Sequence, residues 1–204
     1  MIPLLLVGGG GHCRSCIDVI EGEGRFRVAG IVDRAKGGSP ILGYPVLGDD
    51  QDLARLIAHC ADALVTVGQI KSPDARWRLY ALLKDSGARL PVIVSPHAHV
   101  SRHAELGEGT IAMHGAVINA AASVGANCIV NSLALIEHDA KVGEHCHIAT
   151  GARVNGDVVI GPGTFVGSGA VIREGIRIGS RVIIGAGSLV LADVADGSAI
   201  RGVA

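Results

Sequence analysis

The chain has 204 residues, 49% of them apolar but only 2% aromatic, with 30 glycines and a formal net charge of −1 from 18 basic and 19 acidic residues. That length points to one or two domains. With charge so balanced and no Lys/Arg stripe, nucleic-acid or membrane-surface binding lacks its electrostatic driving force, and no stretch approaches the ~20 apolar residues of a spanning helix.

The first segment, MIPLLLVGGGG, has a short apolar run without a basic lead, so it reads as a strand over Leu4–Val7 and not as a secretion signal. Gly8–Gly11 and His12 form a tight turn before a helix from about Ser15 to Glu21, with Ile17 and Ile20 on one face. Val28–Val32 is a second strand, ending at Asp33. A loop holding Gly37, Gly38, Pro40, Gly43 and Pro45 leads to a helix near Asp50–His59. Ala63–Val67 is a third strand, closed by Gly68, and Ser72–Ser86 is a helix whose Ser72-Pro73-Asp74 start looks like an N-cap followed by proline at the first helical position. Pro91–Val94 is a last strand. Strands alternating with helices imply a small Rossmann-like parallel sheet over residues 1–92 with right-handed crossovers.

Glycines between a strand and a helix allow close backbone approach, and a helix N-terminus favours an anion, so Gly8–Gly11 is a candidate phosphate cradle. Asp33, ending the next strand, is placed to accept hydrogen bonds from a ribose or a base. The G-x-G-x-x-G spacing is not completed, because Cys13 stands three residues after Gly10. The region is also about half a two-halved dinucleotide fold, which favours one nucleotide or a nucleotide-sugar over NAD. The competing reading is a turn that only packs helix on strand.

From Val100 to Val190 every sixth residue is Val, Ile or Leu, with Ala112 the one exception among sixteen positions. Glycine often follows (107, 125, 143, 161, 167, 179, 185), and four places on sits a small residue such as Ala104, Thr110, Ala116 or Cys128. Neither a helix nor a hairpin sheet has a period of six. The pattern is that of a solenoid in which each hexad is one flat face and three faces make a coil. Residues 93–204 are therefore expected to form a parallel β-helix of about five coils, with residues eighteen apart stacked. A narrow prism of aliphatics has little room for rings, which explains the low aromatic content.

One solenoid segment departs from the bland pattern: Asn131 to His147, NSLALIEHDAKVGEHCH. Asp139 beside His138 is placed to orient the imidazole and raise its basicity, as a general base requires. Gly156 lies eighteen residues after His138, where its N–H is set to polarise a carbonyl oxygen. Asn131 and His147 lie near face edges, within reach of a neighbouring subunit. Cys13-x-x-Cys16 has redox spacing without the sequence context of a thioredoxin site. Five cysteines without framework spacing fit a reduced, cytoplasmic protein. His97-x-His99 and His145-x-His147 each put two imidazoles on one strand face. The three-histidine zinc site of γ-type carbonic anhydrases lacks its spacing here, since Gly143 stands five residues after His138. No metal is expected.

These residues carry a resemblance that covers nearly the whole chain: G-G-G-G-H at 8–12, V-D at 32–33, K-G-G…G-Y-P-V-L-G at 36–48, V-G at 67–68, N-S-L-A-L-I-E-H-D-A-K-V-G-E-H-C-H-I at 131–148 and G-A-R-V-N-G-D-V-V-I-G at 151–161. The chain resembles the hexapeptide-repeat sugar acetyltransferases that make N-acetylated 4-amino-dideoxy sugars and O-acetylated sialic acids, among them the bacillosamine and perosamine N-acetyltransferases. The resemblance implies a left-handed β-helix, a homotrimer and an acetyl-CoA-dependent transfer for surface glycan biosynthesis. By that likeness His138 is the general base, Asp139 increases its basicity, Asn131 helps hold the acceptor, and the Gly156 N–H faces the thioester oxygen. CoA is expected between adjacent β-helices against His147, Ser168 and Ala186. The nucleotide-sugar is expected against Gly10, Gly11, His12, Asp33, Arg34 and Gly68. Cys13 and Arg34 depart from the family pattern, as does the Ile200–Ala204 end. O-acetylation of a sialic acid, or a non-catalytic nucleotide-sugar sensor or scaffold, are the alternatives.

Overall fold

The structure is a computed structural model that describes residues 1–34 and 39–201. The K-G-G of the resemblance (36–38) and the last residues of the tail lie outside it. The chain divides into two units, Met1–Gly68 with Asp74–Ile93, and Gln69–Pro73 with the remainder from Val94.

In the first unit, β1 (Ile2–Val7), β2 (Phe26–Val32), β3 (Val46–Gly48) and β4 (Asp62–Val65) form one parallel sheet in the order β3-β2-β1-β4. The helices are α1 (Gly11–Glu23), α2 (Leu53–Ile57, entered through a 3₁₀ turn at Asp50–Asp52) and α3 (Asp74–Asp85). Leu4, Leu5, Leu6 and Val7 are all buried, so β1 is covered on both faces, as its unbroken apolar run requires. The sheet order reverses direction between β1 and β4, which opens a crevice at their carboxyl ends. Arg76 of α3 is fully buried there, and its Nη1 donates to the carbonyls of Val65 and Val67 at 3.1 and 2.6 Å.

Two elements differ from the sequence expectation. The first helix begins at Gly11 and not Ser15, with Gly10 as N-cap, so the helix amides open directly onto the glycine run. Strand β3 stands where the sequence predicts a loop. Its three residues sit in a Gly/Pro-rich stretch, and Leu47 packs where a Cβ on Gly30 of β2 would come within 2.4 Å. Cys13 and Cys16 are fully buried on the inner face of α1, so their spacing reflects helix packing. Burial pushes both thiols up in pKa, and no disulfide joins any of the five cysteines.

The second unit is a left-handed parallel β-helix. Two-residue strands form sheets of seven, six and five strands, and each residue pairs with one eighteen positions on, as Ile129 with His147 and Leu135 with Arg153. The chain winds through about six coils where five were expected, because Val94, one hexad before the counted stretch, and Ile200, beyond it, also pack on the prism core. The hexad aliphatics and the small corner residues are buried; Ile136, Val154, Ala134 and Ala152 have no exposed surface. A side chain on Gly125 would meet the next coil's backbone at 2.5 Å, which is why glycine recurs after the aliphatic at such corners.

Every sixth residue from Gly109 to Gly187 holds a left-handed backbone, and half of these are not glycine: Ala121, Asn127, Leu133, Asp139, His145, Asp157 and Arg181. At one corner the interior is polar. Thr110 Oγ1 donates to the Gly125 carbonyl at 2.7 Å and accepts from the Cys128 amide at 3.0 Å; Cys146 and Thr164 continue that column. Beside it Asn127, fully buried, lies 2.9 Å (Nδ2 to Nδ1) from His145 one coil above.

Candidate active site

His138 and Asp139 occupy a turn between the strands Leu135–Ile136 and Lys141–Val142. Asp139 holds φ +61°, and its Oδ2 lies 2.8 Å from His138 Nδ1. A carboxylate only accepts, so Nδ1 carries the proton and Nε2 presents its lone pair. Both side chains are well exposed, at 65% and 61%. The hydrogen bond to Asp139 raises the His138 pKa above its usual value; desolvation opposes it, and the charges of Asp139, Glu137 and Asp157 add to the rise.

Gly156 stacks on this imidazole. A Cβ built there would stand 2.8 Å from Cε1 and 3.0 Å from Nε2 of His138. No φ constraint demands glycine, so the residue is required by closeness alone. The coils are locked together here, with the Asp157 amide donating to the His138 carbonyl at 3.1 Å and the Gly175 amide to the Gly156 carbonyl at 2.9 Å. The Gly156 amide donates to no backbone carbonyl among the described residues. Glu137 is fixed by Asn119 one coil below, whose Nδ2 donates to Oε2 at 2.7 Å, and the same oxygen receives the His138 amide at 3.3 Å.

Asn131 and His147 are brought to one another at the preceding corner. Asn131 Nδ2 lies 3.2 Å from His147 Nε2, and His147 Nδ1 lies 2.7 Å from the Gln69 carbonyl. A carbonyl also only accepts, so His147 holds its proton on Nδ1 and receives the Asn131 amide at Nε2. His147 is 7% exposed and packs edge-on against Phe165 at 5.3 Å between centroids. Both its nitrogens are thus engaged within the chain. Ser168 and Ala186 are exposed and stacked, the Gly187 amide bonding the Ser168 carbonyl at 2.9 Å. Ser132 and Thr150 continue this column of small side chains along the same corner, through the Gly151 and Gly169 amides at 2.9 Å.

In the first unit Gly10 and Gly11 are exposed at the start of α1, with open space where their side chains would be. Gly9 donates its amide to Asp33 Oδ2 at 2.6 Å, so Asp33 holds the glycine run in place. Gly8, at φ +112°, passes so close to Val67 that a Cβ would stand 2.3 Å from its Cγ2. His12 abuts Gly68, where a Cβ would be 3.6 Å from His12 Cβ, and its Nε2 lies 3.4 Å from Cys16 Sγ. A cavity of about 270 Å³ opens beside Gly8, walled by Val32, Val67 and Leu79 and edged by Asp33, Arg34, Asp50 and Arg78. Arg78 Nη1 pairs with Asp50 Oδ2 at 2.8 Å.

Sequence reasoning missed Gln69, Asn119, Asp50 and Arg78. Asn119 was available from the eighteen-residue spacing to Glu137; the other three meet their partners only through the fold. The histidine pairs do not converge: His145 turns to Asn127, His147 to Asn131, and His97 stacks with His114 at 5.7 Å. Among the described residues no group of three His, Cys, Asp or Glu stands where it could hold a metal ion, and no helix is long and apolar enough to cross a membrane.

Residues 3–83 match the family model of the PglD N-terminal domain, and residues 157–192 that of the bacterial transferase hexapeptide (six repeats). A histidine-to-asparagine mutant of perosamine N-acetyltransferase from Caulobacter crescentus, in complex with CoA and GDP-perosamine, is 33% identical with a TM-score of 0.91, over 97% of this chain and 92% of that one. The acetyltransferase domain of PglB from Neisseria gonorrhoeae, in complex with acetyl coenzyme A, is 30% identical with a TM-score of 0.90, over 97% of this chain and 94% of the other. WeeI from Acinetobacter baumannii, 21% identical with a TM-score of 0.76 over 99% of this chain and 97% of that one, shares the fold. No curated protein matches the chain.

Proposed function

The chain belongs to the hexapeptide-repeat sugar acetyltransferases of the perosamine and bacillosamine N-acetyltransferase type, and we propose that it acetylates the 4-amino group of a nucleotide-linked 4-amino-4,6-dideoxy sugar, with His138 as general base. It is an acyltransferase whose cosubstrate is acetyl-CoA. The observation that carries the finer reading is the stack of Asp139, His138 and Gly156: a base with its free nitrogen outward, against a backbone that no side chain covers.

In the proposed reaction His138 Nε2 takes a proton from the sugar amine as the amine nitrogen bonds to the thioester carbon. Asp139 stabilises the imidazolium that forms, since its carboxylate already holds Nδ1–H. The Gly156 N–H donates to the carbonyl oxygen as it gains negative charge. When the carbon–sulfur bond breaks, the proton on His138 passes to the departing thiolate. Holding two substrates together contributes alongside this proton transfer.

The small-residue column ending in Ser168 and Ala186 suits a cosubstrate lying along the corner, and His147 with Asn131 forms its rigid wall. Packing of two further copies against such corners, as a homotrimer, would turn the corner into a groove. Gly10, Gly11, His12, Asp33, Arg34 and Gly68 would grip the nucleotide, its pyrophosphate against the α1 amides. Acetyl-CoA and nucleotide-sugars meet in the cytoplasm, where the reading places the protein.

The test is thiol release from acetyl-CoA with UDP-, dTDP- and GDP-linked 4-amino-4,6-dideoxy sugars, run beside His138→Ala. Turnover with one of these sugars, reduced at least a hundredfold in the variant, supports the reading. Turnover that survives the substitution removes His138 as base, and silence with all three sugars sinks N-acetylation.

A further inference from the structure

Just after Gly68 the chain inverts the usual rule of burial: Gln69 is 2% exposed, while the neighbouring Ile70 is 64% exposed. We propose that Gln69 is a positioning residue for the acetyl-CoA corner, fixing the tautomer of His147 and, through it, the end of the Asn131 amide that a ligand meets. This rests on the reading above in which that corner takes the cosubstrate, and adds what sets its hydrogen-bonding polarity.

The segment Gln69–Pro73 belongs to the β-helix unit. Two bonds hold Gln69 there. Its side-chain Nε2 donates to the Gly163 carbonyl at 3.1 Å, and its own main-chain carbonyl accepts from His147 Nδ1 at 2.7 Å. Its Oε1 is buried with no hydrogen-bond partner among the described residues. An unmet buried oxygen costs stability that a leucine of similar size would not lose, so glutamine is a poor choice for packing alone. What the side chain achieves is placement of the main-chain carbonyl.

That carbonyl can only accept, so it keeps the His147 proton on Nδ1 and leaves Nε2 as an acceptor. An N–H of Asn131 meets Nε2 at 3.2 Å, and Asn131 Oδ1 is taken by the Ser132 amide at 2.8 Å. Each bond thus fixes the polarity of the next. In the other tautomer Nε2–H would face the Asn131 NH₂, and the amide would have to turn over and release the Ser132 N–H. In the orientation held, Asn131 keeps a second N–H, a donor, for a molecule lying along the corner. Acetyl-CoA carries acceptors of that kind, in its thioester oxygen and the amide carbonyls of its pantetheine arm.

Nitrogen-15 NMR and isothermal titration of the full-length protein with acetyl-CoA test this together. The two neutral imidazole tautomers give distinct nitrogen spectra, and the His147 signals are identified by their loss in His147→Asn. At mildly alkaline pH His147 should carry its proton on Nδ1; a proton on Nε2 overturns the proposal. Gln69→Leu should melt no lower than the wild type, populate both tautomers and weaken acetyl-CoA about tenfold in Kd, the effect of one lost hydrogen bond. His147→Asn keeps a donor for the Gln69 carbonyl but is too short to meet Asn131, so it cuts the relay. Adding Gln69→Leu to that variant should therefore weaken acetyl-CoA no further. An equal loss in both backgrounds would mean a merely structural role and overturn the proposal, as would a Gln69→Leu protein with wild-type affinity. None of these readings needs an acceptor sugar. Silence in the transfer assay beside an intact relay therefore sinks the N-acetylation reading alone, whereas failure to bind acetyl-CoA removes both.

Discussion

Replacing Gly156 with alanine tests the site most sharply, because it adds one carbon at a known place. The new Cβ would lie 2.8 Å from Cε1 and 3.0 Å from Nε2 of His138, against the 3.4 Å at which ordinary contact begins. Gly156 itself sits in a coil locked on both sides, so the imidazole must yield, by about 0.6 Å or more. The imidazole is the exposed end of a side chain and can swing away, so folding should survive with little change in Tm. Catalysis should not, since a displacement approaching 1 Å costs about a hundredfold in rate, and the ring must also break its 2.8 Å bond to Asp139 or rotate about it. Thiol-release kinetics on Gly156→Ala should show kcat down about a hundredfold, with KM for acetyl-CoA moving much less. Gly175→Ala, at a left-handed position with open space around it, controls for a general effect on the coil. Full activity in Gly156→Ala would refute the reasoning, and so would a loss matched by collapse of the fold.

The base acts only when neutral, and its pKa is raised chiefly by Asp139, so kcat/KM should climb as pH rises through that raised value. Asp139→Asn should move this acid limb to lower pH while lowering the plateau; a limb that stays put contradicts the assigned pair. Asn127→Ala removes a buried hydrogen bond to His145 and puts alanine at φ +53°, so it should destabilise the protein by about 2–4 kcal/mol in denaturant unfolding. A change below about 0.5 kcal/mol would show the pair to be idle. The buried, high-pKa thiols of Cys13 and Cys16 should resist a thiol reagent at neutral pH until the protein unfolds. Rapid labelling of either would contradict their packing role.

The solenoid was legible because one aliphatic per hexad enforces one geometry, and the eighteen-residue stacking rule by itself sets Gly156 on His138. The left-handed turn positions were harder to see. Asp139, Asn127 and His145 fill them with ordinary side chains, so no glycine period marks them. The small domain was read through its strong apolar runs and lost β3, whose Val46–Gly48 is too short to show a period. Asp50 with Arg78, and Gln69 with His147, were out of reach for a different reason. Each joins residues far apart in the chain through topology, and spacing carries no trace of such a meeting.

The eighteen-residue stack also governs how such a chain can change length. A whole extra coil inserted after Gly175 slides every later residue up one storey and keeps it at its own corner, whereas one inserted before Ala116 would carry His147 away from the Gln69 carbonyl. Six residues inserted between His138 and Gly156 would turn the following chain by one face and bring a different residue over the imidazole. Length in this protein is therefore quantised around the site: beyond it the chain can grow by whole coils, and between base and backbone donor the count is fixed.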